Sequence, residues 1–437
     1  MAEKIIPDIA FFGQEIIKEN EADFSEQCTK ITDRLINFPP EKISELHLQD
    51  WYTEYWKLAY IFQYLNVPPE QVEDMCAQIK QFADAYKNPV QQQYFALAFL
   101  LFGDTENFQA RANQNLWSKN LREDFEKFTS FNKLTSLSAN LQTRANVRRN
   151  LYIKNFLQEK YSALIKKYSA VSIKNTNCPK VAPKDFKIWY CWFQGEENLI
   201  PLARVCYESL KKNAGSYKIC FIDENNFSDY VTLPEYVIEK FKGGGITRTH
   251  FSDIIRVNLL EKYGGLWLDA TVLVTKPLEN YKRFLKMDYF TQRFYKEKDN
   301  FGMCAVFASY GRWSGFIQGT AILHNPLFIF MKDFYNQYWQ EYDEVIDYLL
   351  MDFLFDIAYD NIPFVKKEMD ELPVNNIFVL DLFERLNLPY KDFQYDKLFK
   401  DNFLCKLGYK IPLDLQKKDS VFREIQKRYA PNTIGQF

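Results

Sequence analysis

Over the first 170 residues, apolar positions recur at three- and four-residue intervals and glycine is almost absent, which predicts helices throughout. Prolines interrupt the pattern at Pro39-Pro40, Pro68-Pro69 and Pro89. The pair before Glu70 suits the first turn of a helix, where the amide that proline lacks would have no partner in any case. Residues 1–170 are therefore expected to form an all-helical accessory domain of several antiparallel helices. Its last stretch sets Arg144, Arg148, Arg149, Lys154, Lys160, Lys166 and Lys167 among Leu151, Ile153, Phe156, Leu157, Leu164 and Ile165. We read this basic amphipathic pattern as the solvated face of a packed helix, with a membrane-surface or acceptor-binding role as the alternative.

Periodicity stops between Val171 and Asp185, where Ser, Asn, Thr, Pro and Lys dominate, so residues 171–186 are expected to be a linker and 187–437 a second domain. That domain opens with an apolar run, Lys187 to Phe193, ended by Gln194-Gly195, which reads as a buried strand and a turn. There follow helical spacing from Ile200 to Lys212, a second buried run from Tyr217 to Asp223, a short helix from Leu233 to Phe241 and a strong helix from Thr249 to Lys262. Gly264-Gly265 stops that helix, and Leu266-Trp267-Leu268 reads as a third strand ending at Asp269. This alternation predicts an α/β fold with a mixed, mainly parallel sheet. Its ligand crevice would lie at the carboxyl ends of the strands, where Asp223 and Asp269 sit. Beyond Lys276-Pro277 the reading is mixed: short strands at Tyr289 to Arg293 and Met303 to Ser309, aromatic helices at Leu327 to Tyr342 and Glu344 to Tyr359, and a helix from Asp419 to Tyr429.

With 437 residues the chain can form two or three folding units. An apolar share of 47% and 39 Phe with 28 Tyr exclude a mostly disordered chain and supply the flat surfaces that nucleotide and carbohydrate sites use. Near equality of 55 basic and 57 acidic residues excludes a global basic field, and with it a nucleic-acid partner recruited by charge. The eight cysteines are scattered with no CxxC pair, as expected of free thiols in a reducing cytoplasm. Three histidines, His47, His250 and His324, are too few for a His-rich zinc site or a Ser/His hydrolase. No basic-then-apolar leader pattern opens the sequence, and the longest apolar stretch, Tyr94 to Phe102, is about half of a membrane span. The expectation is a cytoplasmic protein with no transmembrane segment, the basic stretch leaving open peripheral association at the inner face of the membrane.

The chemistry concentrates in His250-Phe251-Ser252-Asp253-Ile254-Ile255-Arg256 and in Lys262-Tyr263-Gly264-Gly265-Leu266-Trp267-Leu268-Asp269-Ala270-Thr271. Asp253 and Arg256 share one helix face, though alone such a pair would be worth little. The Gly-Gly turn returns the chain at once into a strand ending in a carboxylate, so Asp253, Arg256 and Asp269 can meet at one crevice. S-D-I-I-R followed by Y-G-G-L-W-L-D-A-T resembles the capsular polysaccharide synthesis glycosyltransferases, relatives of the fungal initiation mannosyltransferases with a D-x-D signature and, more distantly, of clostridial glucosylating toxins. The likeness runs from Lys187 to the mid-300s, with a weaker echo from Phe403 to Lys410. It implies a GT-A-like nucleotide-sugar-binding domain, a nucleotide-sugar donor with UDP-sugar favoured, a saccharide acceptor and retention of anomeric configuration.

Carried over by position, the resemblance makes Trp192 the aromatic on which the base stacks, a packed core tryptophan being the alternative. It assigns Asp253 and Arg256 to the donor's ribose and sugar, and Asp269 to the first D-x-D carboxylate. Gln318, within Phe316 to Thr320, becomes a contact in a loop beside the transferred sugar. The implied cofactor is Mn²⁺ or Mg²⁺ at Asp269 and Thr271, the threonine standing where a second carboxylate is usual and binding a hard cation more weakly. Transfer builds negative charge on the departing diphosphate, which Arg256 and Lys406 or Lys410 could also offset. The catalytic set is Asp269, Arg256 and Asp352, the last being either a carboxylate late in the domain or a satisfied core or cap residue. A retaining enzyme needs no strong base, and none is assigned. Two other classes use the same residues: an effector or toxin that glycosylates a host protein, and a non-catalytic saccharide-binding module that Thr271 would betray.

Overall fold

The computed structural model describes residues 153–169, 178–280, 287–293, 307–309, 311–343, 345–373, 378–383, 385–392, 402–409 and 412–433, with a few isolated positions besides. The expected helices before residue 150 lie outside this set apart from isolated positions, as do Lys410 and most of Met303 to Ser309, whose last three residues form a turn. The chain divides into two compact units. One takes Met1–Tyr161, Phe301–Ala308 and Tyr338–Phe353, and the other Ser162–Asn300, Ser309–Gln337 and Leu354–Phe437. Within the first, Tyr338 packs against the rings of Trp339 and Tyr342, and its hydroxyl accepts the Ile346 amide at 2.7 Å.

The second unit begins with α1 (Ser162–Ser169) and continues through β1 (Lys187–Cys191), α2 (Pro201–Asn213), β2 (Lys218–Ile222), α3 (Glu235–Lys242), α4 (Arg248–Tyr263) and β3 (Gly265–Leu268). Later elements of the chain are β4 (Val272–Val274), β5 (Phe290–Thr291), β6 (Ile317–Thr320), α5 (Pro326–Glu341), α6 (Leu350–Asn361), α7 (Pro363–Glu371), β7 (Leu404–Lys406) and α8 (Val421–Tyr429). Five strands form one sheet in the order β2-β1-β3-β6-β5. β1 pairs in parallel with both β2 and β3, whereas β6 pairs antiparallel with β3 and β5. Four strands thus share one direction and β6 opposes them, the mixed, mainly parallel α/β sheet that the sequence predicts.

Strand order places the crevice. From β1 the chain steps to β2 on one side, then crosses back to lay β3 on the other, so the order reverses between β1 and β3. Open α/β sheets bind ligands outside the carboxyl ends of strands at such a reversal. The central strands are unbroken apolar runs because both faces are covered: Ile188, Trp189, Tyr190, Leu266, Trp267 and Leu268 are each at most 1% exposed. Helix α2 serves two cores. Ala203, Tyr207 and Leu210 face Ile188, Leu266 and Leu268, while Leu202, Val205 and Cys206 join Leu273, Cys405, Phe422 and Ile425.

Local chemistry explains the boundaries. Pro201 opens α2, and the Thr247 side chain accepts the His250 amide at 3.3 Å to cap α4. At the end of α4, Gly264 and Gly265 have φ of +62° and +99°, and a Cβ on Gly265 would come within 2.4 Å of the Lys187 carbonyl oxygen. Only glycine makes that turn without strain. Elsewhere the expectations shift. The helix expected from Glu344 begins at Leu350, because the Asp347 side chain accepts the Leu349 amide at 2.8 Å and its carbonyl the Leu350 amide at 3.0 Å, a turn that starts the helix afresh. The segment around Gln318, expected as a loop, is strand β6. Within the expected linker, Pro179 to Val181 is hydrogen-bonded to Ala321 to Leu323.

Candidate active site

Two turns aim the polar groups. Immediately after β3, the Asp269 amide donates to the Phe316 carbonyl at 3.0 Å and the Asp269 carbonyl accepts the Val272 amide at 2.9 Å, so D-A-T is a tight turn between β3 and β4. The buried Tyr190 hydroxyl lies 2.9 Å from the Ala270 carbonyl and holds that turn against β1. Strand β7 then runs antiparallel to β4 with Lys406 opposite Val272, and the Leu407 amide reaches the Thr271 carbonyl at 2.9 Å. This ladder carries Lys406 to Asp269 although 137 positions separate them in sequence.

The result is a compact charge cluster. Asp269 Oδ1 accepts from the Arg256 guanidinium at 3.1 Å and from the Trp267 indole at 2.9 Å, and Oδ2 accepts from the Lys406 ammonium at 2.9 Å. Arg256 also pairs with Asp253 at 3.1 Å, donates to the Gly315 carbonyl, and lies over the Trp267 ring. Its side chain is 6% exposed and that of Asp253 12%, whereas Lys406 and Asp269 are 14% and 27% exposed. The open edge is therefore Asp269 with Lys406, and Arg256 braces it from within.

The two carboxylates that share Arg256 are driven apart. Burial pushes Asp253 up to about 7, with Arg256 opposing and the Asp269 charge adding to the rise. For Asp269 burial acts the same way, but the Lys406 and Arg256 charges and the hydrogen bonds from Trp267 and Lys406 outweigh it and hold the group at about 2. At neutral pH Asp269 is a fixed anion, and Asp253 is poised between its two states.

The other candidate residues are placed as follows. Trp192 follows β1, half-buried against the sheet core, its indole donating to the Asn198 carbonyl at 3.1 Å. It follows the carboxyl end of β1, as Asp269 follows that of β3, the strand paired beside it. Thr271 is 4% exposed. Gln318 does not join the cluster: it is fully buried, its amide donating to the Ser314 carbonyl at 2.6 Å and accepting from the Tyr289 hydroxyl at 2.9 Å. Asp352 lies in the first turn of α6, where a carboxylate complements the helix dipole, and belongs to the first unit. Lys410 lies outside the described residues.

Sequence reading missed two neighbours. Tyr409 is 50% exposed, and burial of its hydroxyl together with the Asp269 charge raises the phenol's pKa. Tyr335, from α5, is 2% exposed; burial and Asp253 raise its pKa against Arg256, and its hydroxyl has no hydrogen-bond partner among the described residues. Tyr335 lies in no motif, Tyr409 sits unremarked inside the Phe403 to Lys410 echo, and only folding brings the two to the cluster.

The divalent cation implied by the resemblance can be tested against these donors. Mg²⁺ and its relatives take several oxygen ligands, commonly from one or two carboxylates. Here Asp269 already faces a guanidinium, an indole N–H and an ammonium, and its companion is a buried threonine. Among the described residues no three His, Cys, Asp or Glu side chains are grouped as metal ligands. As arranged, this donor set does not fit the ion.

Fold and site define an α/β protein with a compact charge cluster at the strand-order reversal of its sheet. The chain matches the family model for capsular polysaccharide synthesis proteins over residues 132–425, and it belongs to that family. Membership points to a part in capsular polysaccharide synthesis and to an enzyme. No curated protein and no solved structure matches the chain. Among the described residues no helix is long and apolar enough to cross a membrane.

Proposed function

We propose that the protein is a glycosyltransferase that moves a sugar from a nucleotide-sugar donor, a UDP-sugar in the first instance, to a saccharide acceptor in capsular or other surface polysaccharide synthesis. Residues 187–437 act as a GT-A-like donor-binding domain, residues 1–170 as a helical accessory domain, and the reaction retains anomeric configuration in the cytoplasm or at the inner face of the membrane. The observation that carries this reading is the convergence of Asp269, Lys406 and Arg256 where the strand order reverses. A carboxylate there can accept from ribose hydroxyls, and a neighbouring cation can take diphosphate oxygens whose charge grows as the sugar leaves. The rings of Trp192 and Tyr409 are available to a base.

A thermal-shift screen of the full chain against UDP-, GDP- and CMP-sugars, followed by a turnover assay on those that bind, tests the proposal, since a ligand of the folded state raises the melting temperature. Stabilisation by one nucleotide class with release of that nucleotide is expected. Neither stabilisation nor turnover with any of the three would remove the reading.

A further inference from the structure

We propose that Lys406 stands in the place that the resemblance gives to a divalent cation, so that the donor's diphosphate is held and its developing charge offset by an ammonium. This rests on the glycosyltransferase reading above. The fold delivers Lys406 there deliberately: β7 pairs with β4, the strand that directly follows D-A-T, in a register that sets Lys406 opposite Val272 and stitches Leu407 to Thr271. Two N–H donors bond Asp269 Oδ1, as many as a carboxylate oxygen has lone pairs, and the ammonium takes Oδ2 at 2.9 Å. A metal bound at Oδ2 would lie within about 2 Å of that oxygen and so press against the ammonium. Thr271, in the position of the second ligand, is neutral and 4% exposed.

Lys406 is also the cation with donors to spare. An ammonium has three protons. Among the described residues its one hydrogen-bond acceptor is Asp269, while the Phe316 ring lies 5.3 Å away. Arg256 instead spends its fork on Asp253, Asp269 and the Gly315 carbonyl and is less exposed. In the transfer step the bond between the anomeric carbon and the diphosphate oxygen breaks, its electron pair staying on that oxygen. The acceptor hydroxyl oxygen bonds the same carbon from the same face, and its proton passes to the departing oxygen. Lys406 meets the charge appearing on the diphosphate and keeps its own protons throughout.

The test uses the full chain freed of metal with EDTA, binding of UDP and of uridine by calorimetry, and turnover of the donor found in the screen. The parent is expected to bind UDP and to turn over in EDTA as it does with Mn²⁺. Lys406→Ala should lose about ten- to a hundredfold in UDP affinity, the range for a hydrogen bond to a charged group, while its uridine affinity stays unchanged. Lys406→Arg should retain most of the affinity. Binding or turnover that disappears in EDTA and returns with Mn²⁺ or Mg²⁺ overturns this inference and leaves the glycosyltransferase reading standing. So does a folded Lys406→Ala that binds UDP as the parent does. Failure of the parent to bind UDP, GDP or CMP in either condition overturns both. If Lys406→Ala does not fold, the EDTA comparison on the parent decides alone.

Discussion

The two ends of α4 bury carboxylates of nearly equal exposure that behave in opposite ways. Toward the start, the Asp253 side chain is 12% exposed and its pKa is pushed up to about 7. Toward the end, Glu261 is 11% exposed, and although burial would raise it, hydrogen bonds and charge from Lys332 and His324 bring it below the ordinary carboxylate value. Burial therefore does not decide the outcome; the partners each acid has to itself do. Glu261 holds Lys332 at 2.8 Å and His324 at 2.6 Å, whereas Asp253 shares one guanidinium with Asp269 and suffers that neighbour's charge. One end is a closed structural network. The other keeps two carboxylates with pKa values far apart, the arrangement found where acids are given different tasks.

The comparison breaks most completely at Asp269. Asp269→Asn preserves size and removes the anion that positions Lys406 and Arg256, so we expect a folded protein with transfer abolished; full turnover would put the active site elsewhere. Next comes Arg256, whose loss takes the guanidinium from the buried Asp253 and leaves Asp269 with Lys406 and the Trp267 indole. Arg256→Met should cost about 3–5 kcal/mol in chemical denaturation, as for one partner removed from a buried pair. The same change made on an Asp253→Asn background should cost less, because one of the two acids no longer needs the guanidinium. Equal costs in the two backgrounds would show that Arg256 and Asp253 do not interact in solution.

Legibility in the sequence follows the same divide between local and distant chemistry. From Lys187 to Asp269 each element begins and ends within two residues of its expected place, because continuous apolar runs, Pro201, Asn213 and the Gly264-Gly265 turn are signals carried by adjacent residues. Asp253, Arg256 and Asp269 lie close in the chain and were legible as one group. Lys406 was a candidate only through a family echo, since nothing local announces a strand that pairs with β4 from far along the chain. Tyr335 was invisible for the same reason, and Tyr409, inside the same echo, carried nothing that set it apart from its neighbours. Gln318 misleads in the other direction: its motif suggests a loop, but its place opposite Trp267 in the ladder makes it a buried strand residue with its amide satisfied inside.

Asp253 gives the comparison a pH axis. Its folded pKa lies above the ordinary 3.8, so the folded state keeps a proton that the unfolded chain releases. The stability this contributes is fully present below about pH 4 and is lost as pH rises to about 7, at up to about 1.4 kcal/mol per pH unit. Asp269, held at about 2, and Glu261, also lowered, act in the opposite sense, their contributions appearing above the ordinary carboxylate range and vanishing in acid. Asp253→Asn should therefore flatten the fall in stability between about pH 4.5 and 7 and leave the acid limb unchanged. Denaturation curves at three pH values in that window check it. Parallel pH dependences for parent and variant would mean that Asp253 is ionised throughout and the charge reading of this end of α4 is wrong.

The smallest effect belongs to the closed end. Glu261→Gln cannot accept from both Lys332 and His324 as an anion, yet those side chains are 28% and 56% exposed and can turn to water, which limits the damage. One further strain opposes the change. His324 has φ of +54°, and Glu261 supports it both through its side chain and through its carbonyl, which accepts the His324 amide at 2.8 Å. The carbonyl bond survives the substitution and the side-chain bond weakens, so a loss of about 1–2 kcal/mol in stability is expected, within the range for one buried group left short of a partner. Nucleotide affinity and turnover should stay at the parent level when measured well below the melting temperature, because no ligand-facing residue is touched. A tenfold change in turnover with unaltered stability would show that this end of α4 communicates with the Asp269 cluster and is not the structural counterpart described above.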